Sequence, residues 1–179
     1  MLARIVDTNE GTLLLFTSGR QMRDVLDALP AHLRDITVAQ DKTPRARLVA
    51  RHRKRVDAGE GSLLAGLASL AEGVDLPGRY CTHVIIAKLP FAPPDSPIEA
   101  TLAEWIESQG RSAFVELMVP QTSVKLQQAV GRLLRTETDS GRITLLDRRV
   151  VTRQYGRRML DCLPPMRRVI EPVRGRAAA

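Results

Sequence analysis

A chain of 179 residues is long enough for one well-packed domain and short for two. Its 44% hydrophobic and 26% charged residues are those of a globular protein; no apolar run nears the roughly 18 residues of a membrane span, and Met1-Leu2-Ala3-Arg4 opens no signal peptide. A net charge of +7 and a pI near 10.2 point to a polyanionic partner, nucleic acid first, while 3% aromatic residues argue for contact through the phosphate backbone over base stacking. The expected location is cytoplasmic, with no membrane partner. Cys81 and Cys162 lie far apart with no Cys-x-x-Cys spacing, so both read as small core residues with no metal or redox motif.

Residues 1–10 read as an N-terminal extension. Gly11 to Ser18 is an unbroken apolar run ending in small hydroxyls, the pattern of a strand buried on both faces of a parallel sheet. A helix follows from Arg20 to Leu29, with Met22, Val25, Leu26 and Leu29 on one face and Pro30 closing it. Such a junction places backbone N–H groups and a hydroxyl at the carboxyl edge of the sheet, where open α/β folds bind ligands. Thr17 and Ser18 read equally as phosphate contacts and as plain N-cap residues.

Ile36 to Gln40 is the next strand, and Asp41 to Pro44 is a turn that starts a helix over Arg45 to Ala58. That helix is strongly basic, with Arg45, Arg47, Arg51, Arg53, Lys54 and Arg55. Such a run reads as a solvated face, as a DNA-backbone contact, or as a docking face for an acidic neighbour. Ser62 to Leu67 is a third buried strand, and 68–78 is a loop carrying Glu72 and Asp75, with no histidine nearby to suggest acid–base work. Tyr80 to Leu89 is a fourth strand, in which His83 has no titrating partner in local reach and reads as packed. Pro90 to Pro97 is a proline-stiffened excursion, Ile98 to Gln109 a helix with Leu102, Trp105 and Ile106 on one face, and Phe114 to Pro120 either a helix end or a connector.

Gln121-Thr122-Ser123 is expected to cap a helix that carries Arg132 and Arg135, three residues apart and so on one side, one turn apart. Two guanidiniums converging on a point suit a phosphate; the plain alternative is a solvated face paired with Glu137 and Asp139. Gly131 removes a side chain just before the pair, at a cost of roughly 1 kcal/mol in a helix interior. After a turn at Asp139-Ser140-Gly141, Arg142 to Asp147 is the last core strand, Thr152 to Leu163 a closing basic helix, and 166–179 a fraying basic tail. Strands alternating with helices predict an α/β fold with a parallel, doubly wound sheet of about five or six strands.

Four stretches occur in order: Leu-Phe-Thr-Ser-Gly-Arg-Gln-Met (15–22), Ser-Leu-Ala-Glu-Gly-Val-Asp-Leu-Pro-Gly (69–78), Leu-Pro-Phe-Ala-Pro-Pro-Asp-Ser-Pro (89–97) and Gln-Gln-Ala-Val-Gly-Arg-Leu-Leu-Arg (127–135). Together they resemble the C-terminal helicase domain of the DinG/XPD family of superfamily 2 DNA helicases, over roughly residues 11–165. The resemblance implies a RecA-like, P-loop NTPase type three-layer sandwich. It further implies ATP-driven 5′-to-3′ translocation on single-stranded DNA, with duplex unwinding in DNA repair and R-loop removal.

By the same resemblance Arg132 and Arg135 are arginine fingers for the γ-phosphate of ATP held by another RecA-like domain. Gln128, Gly131, Glu72, Gly73 and Asp75 line the nucleotide cleft, and Thr17, Ser18 and Arg20 contact DNA. The chain departs from the family pattern in having no Gly-x-x-x-x-Gly-Lys-[Ser/Thr], no acidic Walker B box and no four-cysteine set. ATP and Mg²⁺ are therefore expected to sit mainly on an N-terminal RecA-like domain outside this chain, together with any iron–sulfur cluster, and the chain alone is expected to be inactive. The competing reading is a non-catalytic nucleic-acid-binding or regulatory module on a RecA-like scaffold. A small-molecule α/β enzyme finds no nucleophile–base pair to support it.

Overall fold

The computed structural model describes residues 1–92, 96–134 and 139–171. After a short helix α1 (Leu2–Ile5), the apolar run forms strand β1 (Gly11–Phe16), buried at every residue. A strand with no exposed face must be covered on both sides, and it is paired on both edges too. The described strands are β1, β2 (Thr37–Ala39), β3 (Ser62–Leu67), β4 (His83–Ile86) and β5 (Arg142–Leu145), all parallel, in the order β2-β3-β1-β4-β5.

Alternation along β1 separates the two cores. Leu13 and Leu15 face one that includes Leu48 of α4 (Arg45–Asp57), Leu70 of α5 (Ala68–Ala71), Leu126 and Ala129 of α7 (Val119–Val130), Val150 of α8 (Arg149–Thr152) and Met159 of α9 (Gln154–Asp161). Leu14 and Phe16 face the other, with Met22 of α2 (Gly19–Asp27) and Leu33 of α3 (Ala31–Asp35). Helices on both faces of a parallel sheet make the three-layer, doubly wound α/β sandwich of the RecA-like layout.

Several boundaries differ from the sequence reading for identifiable reasons. Helix α3 is an element the sequence reading passed over; Pro30 sits at its N-cap, and Leu33, fully buried, holds its five residues in place. The expected fourth strand loses Tyr80 to a single 3-10 turn at Gly78–Tyr80 and keeps only His83–Ile86 as strand. Helix α6 (Pro97–Ser108) buries Ile106 but leaves Leu102 and Trp105 largely exposed, so its expected apolar face is only partly used. The closing helix is broken at Arg153 into α8 and α9. Cys81 is buried as expected, whereas Cys162 is exposed and is not a core residue.

Gln121-Thr122-Ser123 is no cap. A π-helical turn, Phe114–Met118, runs directly into α7, with Pro120 in its first turn where no N–H is needed. Thr122 and Ser123 are therefore interior, and their hydroxyls donate to the carbonyls of Met118 (2.7 Å) and Val119 (2.9 Å).

Two histidines are packed into the fold. His52 lies between the Ser62 hydroxyl (2.9 Å from Nδ1) and the Tyr80 carbonyl, to which Nε2–H donates (2.7 Å). His83 is packed as expected, but tertiary contacts supply charged neighbours that the local sequence lacks. Arg142 Nε donates to Nδ1 (3.2 Å), the Glu10 carboxylate is 3.4 Å away, and Thr144 Oγ1 is 2.8 Å from Nε2. Burial and then the Arg142 charge push His83 from 6.5 down to about 4, and burial likewise lowers His52.

A histidine with a depressed pKa binds fewer protons when folded than when unfolded, so its contribution is complete above about pH 6.5 and is lost as pH falls toward 4. The gap at His83 corresponds to at most ~3.5 kcal/mol. Urea unfolding followed from pH 7 to pH 4 should show the midpoint falling across this window. Substituting His83→Gln should flatten the slope without abolishing it, because His52 contributes with the same sign.

Candidate functional site

Parallel strands place all their carboxyl ends at one edge, and that edge carries a cleft. Its apolar floor includes Phe16, Ala71 and Ile86, and its polar rim is Thr17, Glu72, Lys88, Lys125 and Gln128. Thr17, Glu72 and Gln128, more than a hundred residues apart at the extremes, are thus brought together. Lys88 and Lys125 join them although the sequence reading passed over both. Their only sequence signal is that they are two of four lysines in an arginine-rich chain.

Ser18 is an N-cap. Its Oγ accepts from the Gln21 N–H at 3.1 Å and its backbone is extended, so one of the two readings is met in full. Arg20 points to solvent, with a loose i,i+4 contact to Asp24 at 3.9 Å.

The loop after α5 runs from the cleft down the flank of α4, held by Val74 and Leu76, each 1% exposed. Three arginines converge on it. The Arg45 guanidinium lies over Gly73, in the space a Cβ there would occupy. Arg53 Nη2 donates to the Asp75 carbonyl at 2.5 Å and is 3.7 Å from the Asp75 carboxylate. From the opposite side, Arg132 Nη1 donates to the Val74 carbonyl at 3.1 Å.

Arg132 is not on a helix, contrary to the sequence reading. Helix α7 ends at Val130, Gly131 is its C-cap, and residues 131–133 form a turn pinned by buried Leu133. The turn, not helical periodicity, aims the half-buried guanidinium at the loop. Gly131 has an ordinary φ of −63°, and among the described residues a Cβ there would meet only α7's own carbonyls, at 3.3 and 3.6 Å. Arg135 lies outside the described residues, so the expected one-turn pairing of the two arginines does too. Asp75 is held by Arg53, an arginine the motif reading did not single out.

Asp147, at the carboxyl end of β5, ties the far rim of the cleft. It accepts from the Leu89 N–H (3.0 Å), the Arg149 N–H (3.0 Å) and the Arg149 guanidinium (2.6 Å to Nη2). Burial alone would raise this carboxyl; the hydrogen bonds from Arg149 and Leu89 outweigh burial and hold it below the usual range. Arg149 also covers the Phe91 ring, which packs with Phe114 and Tyr155. The segment after β4, including Lys88, is thereby fixed. Among the described residues no group of three or more His, Cys, Asp or Glu side chains converges as a metal site, and no helix is long and apolar enough to cross a membrane.

The site is thus a doubly wound parallel sheet with an arginine-bound loop beside its carboxyl edge. The family model described as helicase C-terminal domain matches residues 2–166, and the chain belongs to that family, as the C-terminal domain of a DinG/XPD-type helicase. The ATP-dependent DNA helicase DinG of Photobacterium profundum is 42% identical over 173 residues, 95% of this chain and 25% of that protein. The ATP-dependent DNA helicase DinG of Escherichia coli is 46% identical over 154 residues, 86% of this chain and 21% of that protein.

A solved XPD helicase structure superposes with a TM-score of 0.66 at 23% identity, covering 87% of this chain and 28% of that one, and S. tokodaii Xpd4 with 0.58 at 20%, covering 83% and 28%. These likenesses speak for the fold. The chain spans about a quarter of the length of the curated relatives it matches.

The Asp147 geometry predicts the outcome of removing it. Asp147→Ala strips the Leu89 N–H and a half-buried guanidinium of their acceptor, which should cost roughly 1–3 kcal/mol in urea unfolding. Arg149→Lys, which keeps the charge but not the planar fork, should fall between this variant and the parent.

Proposed function

We propose that this chain is the second motor domain of an ATP-dependent 5′-to-3′ DNA helicase. In this reading it supplies arginine fingers and part of the single-stranded DNA track and cannot hydrolyse ATP alone. The observation that carries the proposal is the hydrogen bond from Arg132 to the Val74 carbonyl. It stations a fixed positive charge against the Glu72–Asp75 loop, as a finger waiting for nucleotide held by a partner domain requires. Arg132, with Arg135, then stabilises negative charge on the transferred phosphoryl. In this reading Glu72, Gly73, Asp75, Gln128 and Gly131 belong to the nucleotide cleft, and Thr17, Ser18 and Arg20 contact single-stranded DNA.

Mg²⁺ neutralises phosphate charge in such reactions, but the described residues of this chain offer at the cleft Lys88, Lys125, Gln128 and one carboxylate, Glu72, and no metal-ligating cluster. We therefore assign Mg²⁺ and the Walker boxes to an N-terminal RecA-like domain. Two cysteines cannot ligate a four-thiolate cluster, so any iron–sulfur centre belongs elsewhere as well.

Arginine fingers contribute about 10³ to 10⁵ in rate in well-studied NTPases. In the full-length protein Arg132→Ala should lower DNA-stimulated ATP turnover by about 10³ or more while single-strand affinity, read by anisotropy, changes only a few-fold. Retained turnover would refute the assignment. Mixing this chain with the N-terminal RecA-like domain should restore DNA-stimulated ATPase that neither part shows alone; if it does not, the non-catalytic module is the better description.

A further inference from the structure

Helix α4 is the part of the chain that the motor reading leaves unexplained. Its thirteen residues carry six cations and one carboxylate, and so hold five of the seven net positive charges of the whole protein. The fold divides those cations by direction. Arg53 and Arg55 are engaged along the flank, with Asp75 and with Glu60 and the Gly61 carbonyl, and Arg45 lies over Gly73. Arg47, Arg51 and Lys54 follow i, i+4, i+7 spacing on one side of the helix, turned away from buried Leu48 and His52, and all three are exposed.

Among the described residues none of these three forms an ion pair or a side-chain hydrogen bond. The acid that senses Arg51 is Asp41, held low chiefly by its hydrogen bonds with Thr43, and Arg51 is the smallest contribution there. Three like charges stacked on one helix face repel one another, so the stripe is a standing cost unless an anion covers it.

We propose that the Arg47–Arg51–Lys54 stripe is a docking surface for the phosphate backbone of duplex DNA, separate from the single-strand edge formed by Thr17, Ser18 and Arg20. The choice of DNA as the polyanion rests on the helicase reading; the choice of duplex rests on the surface itself. The stripe contains no aromatic side chain, so it offers nothing on which unpaired bases could stack, whereas the ridges of a duplex are phosphate and sugar with the bases already stacked inside. At 1.5 Å per residue it extends about 10 Å along a rigid helix. With one phosphate per 3.4 Å of axis on each strand, that length matches about three phosphates. The stripe rides on the same helix whose inward arginines hold the Gly73–Asp75 loop, so a duplex seated there would lie beside the candidate nucleotide cleft.

The test is direct binding of this chain, without nucleotide, to a blunt DNA duplex and to a single strand of equal length, by anisotropy across a salt series. The triple variant Arg47→Gln, Arg51→Gln, Lys54→Gln should weaken duplex binding by about tenfold or more and lessen the salt slope by roughly 2 to 3. Single-strand binding should stay unchanged. The variant Arg47→Lys, Arg51→Lys should keep the parent's slope, because phosphate contact needs only the charge.

An unchanged duplex slope, an equal loss on the single strand, or a parent that shows no duplex binding each overturns the proposal. The single substitutions, with urea midpoints matching the parent, replace the triple variant should it fold poorly. Because no step requires ATP turnover, failure here leaves the Arg132 experiment standing, and failure there leaves this one readable.

Discussion

The carbonyl oxygens of Val74 and Asp75 accept hydrogen bonds from arginines on opposite sides, Arg132 from the turn after α7 and Arg53 from α4. Between them the loop is pinned by buried Val74 and Leu76. A segment that contains a glycine, a proline and two exposed carboxylates has little regular structure of its own, and it keeps its shape because backbone acceptors meet fixed donors and apolar side chains enter the core. The placement of Glu72 on the cleft rim, of Gly73 beneath Arg45 and of Arg132 near both depends on this arrangement.

Arginine suits that task for a physical reason. Its charge does not titrate, and its planar fork can serve a carbonyl while leaving other N–H groups for a phosphate. The lysines Lys88 and Lys125 are found instead on the rim of the cleft, where a flexible stem and a point charge suffice. The Asp147–Arg149 pair illustrates the rigid use once more, closing the far side of the cleft by bonding the backbone of Leu89.

Much of the fold was legible in the sequence because burial on both faces leaves an apolar run with no alternation. Gly11–Phe16 and Ser62–Leu67 could hardly be read otherwise, and the basic helix was placed within a residue of its observed ends. The errors fall where local signals and packing compete. Thr122 and Ser123 look like caps, yet the π-helical turn before α7 makes them interior, and their hydroxyls bond one turn back. Cys162 is small and apolar enough for a core but falls at the C-cap of α9, on the surface.

The site was legible in its residue types and not in its geometry. The family resemblance singled out Glu72, Gly73, Asp75, Gln128 and Arg132 by motif order alone. Chain order could not tell that Arg132 leaves the helix before reaching its loop, that Arg53 reaches Asp75 from the basic helix, or that Lys88 and Lys125 share the rim of one cleft. Composition and periodicity determined by themselves a parallel α/β sheet and a basic surface, because burial and charge are properties of residues. Which donor reaches which acceptor was decided only in three dimensions, since a hydrogen bond depends on where two distant backbones come to rest.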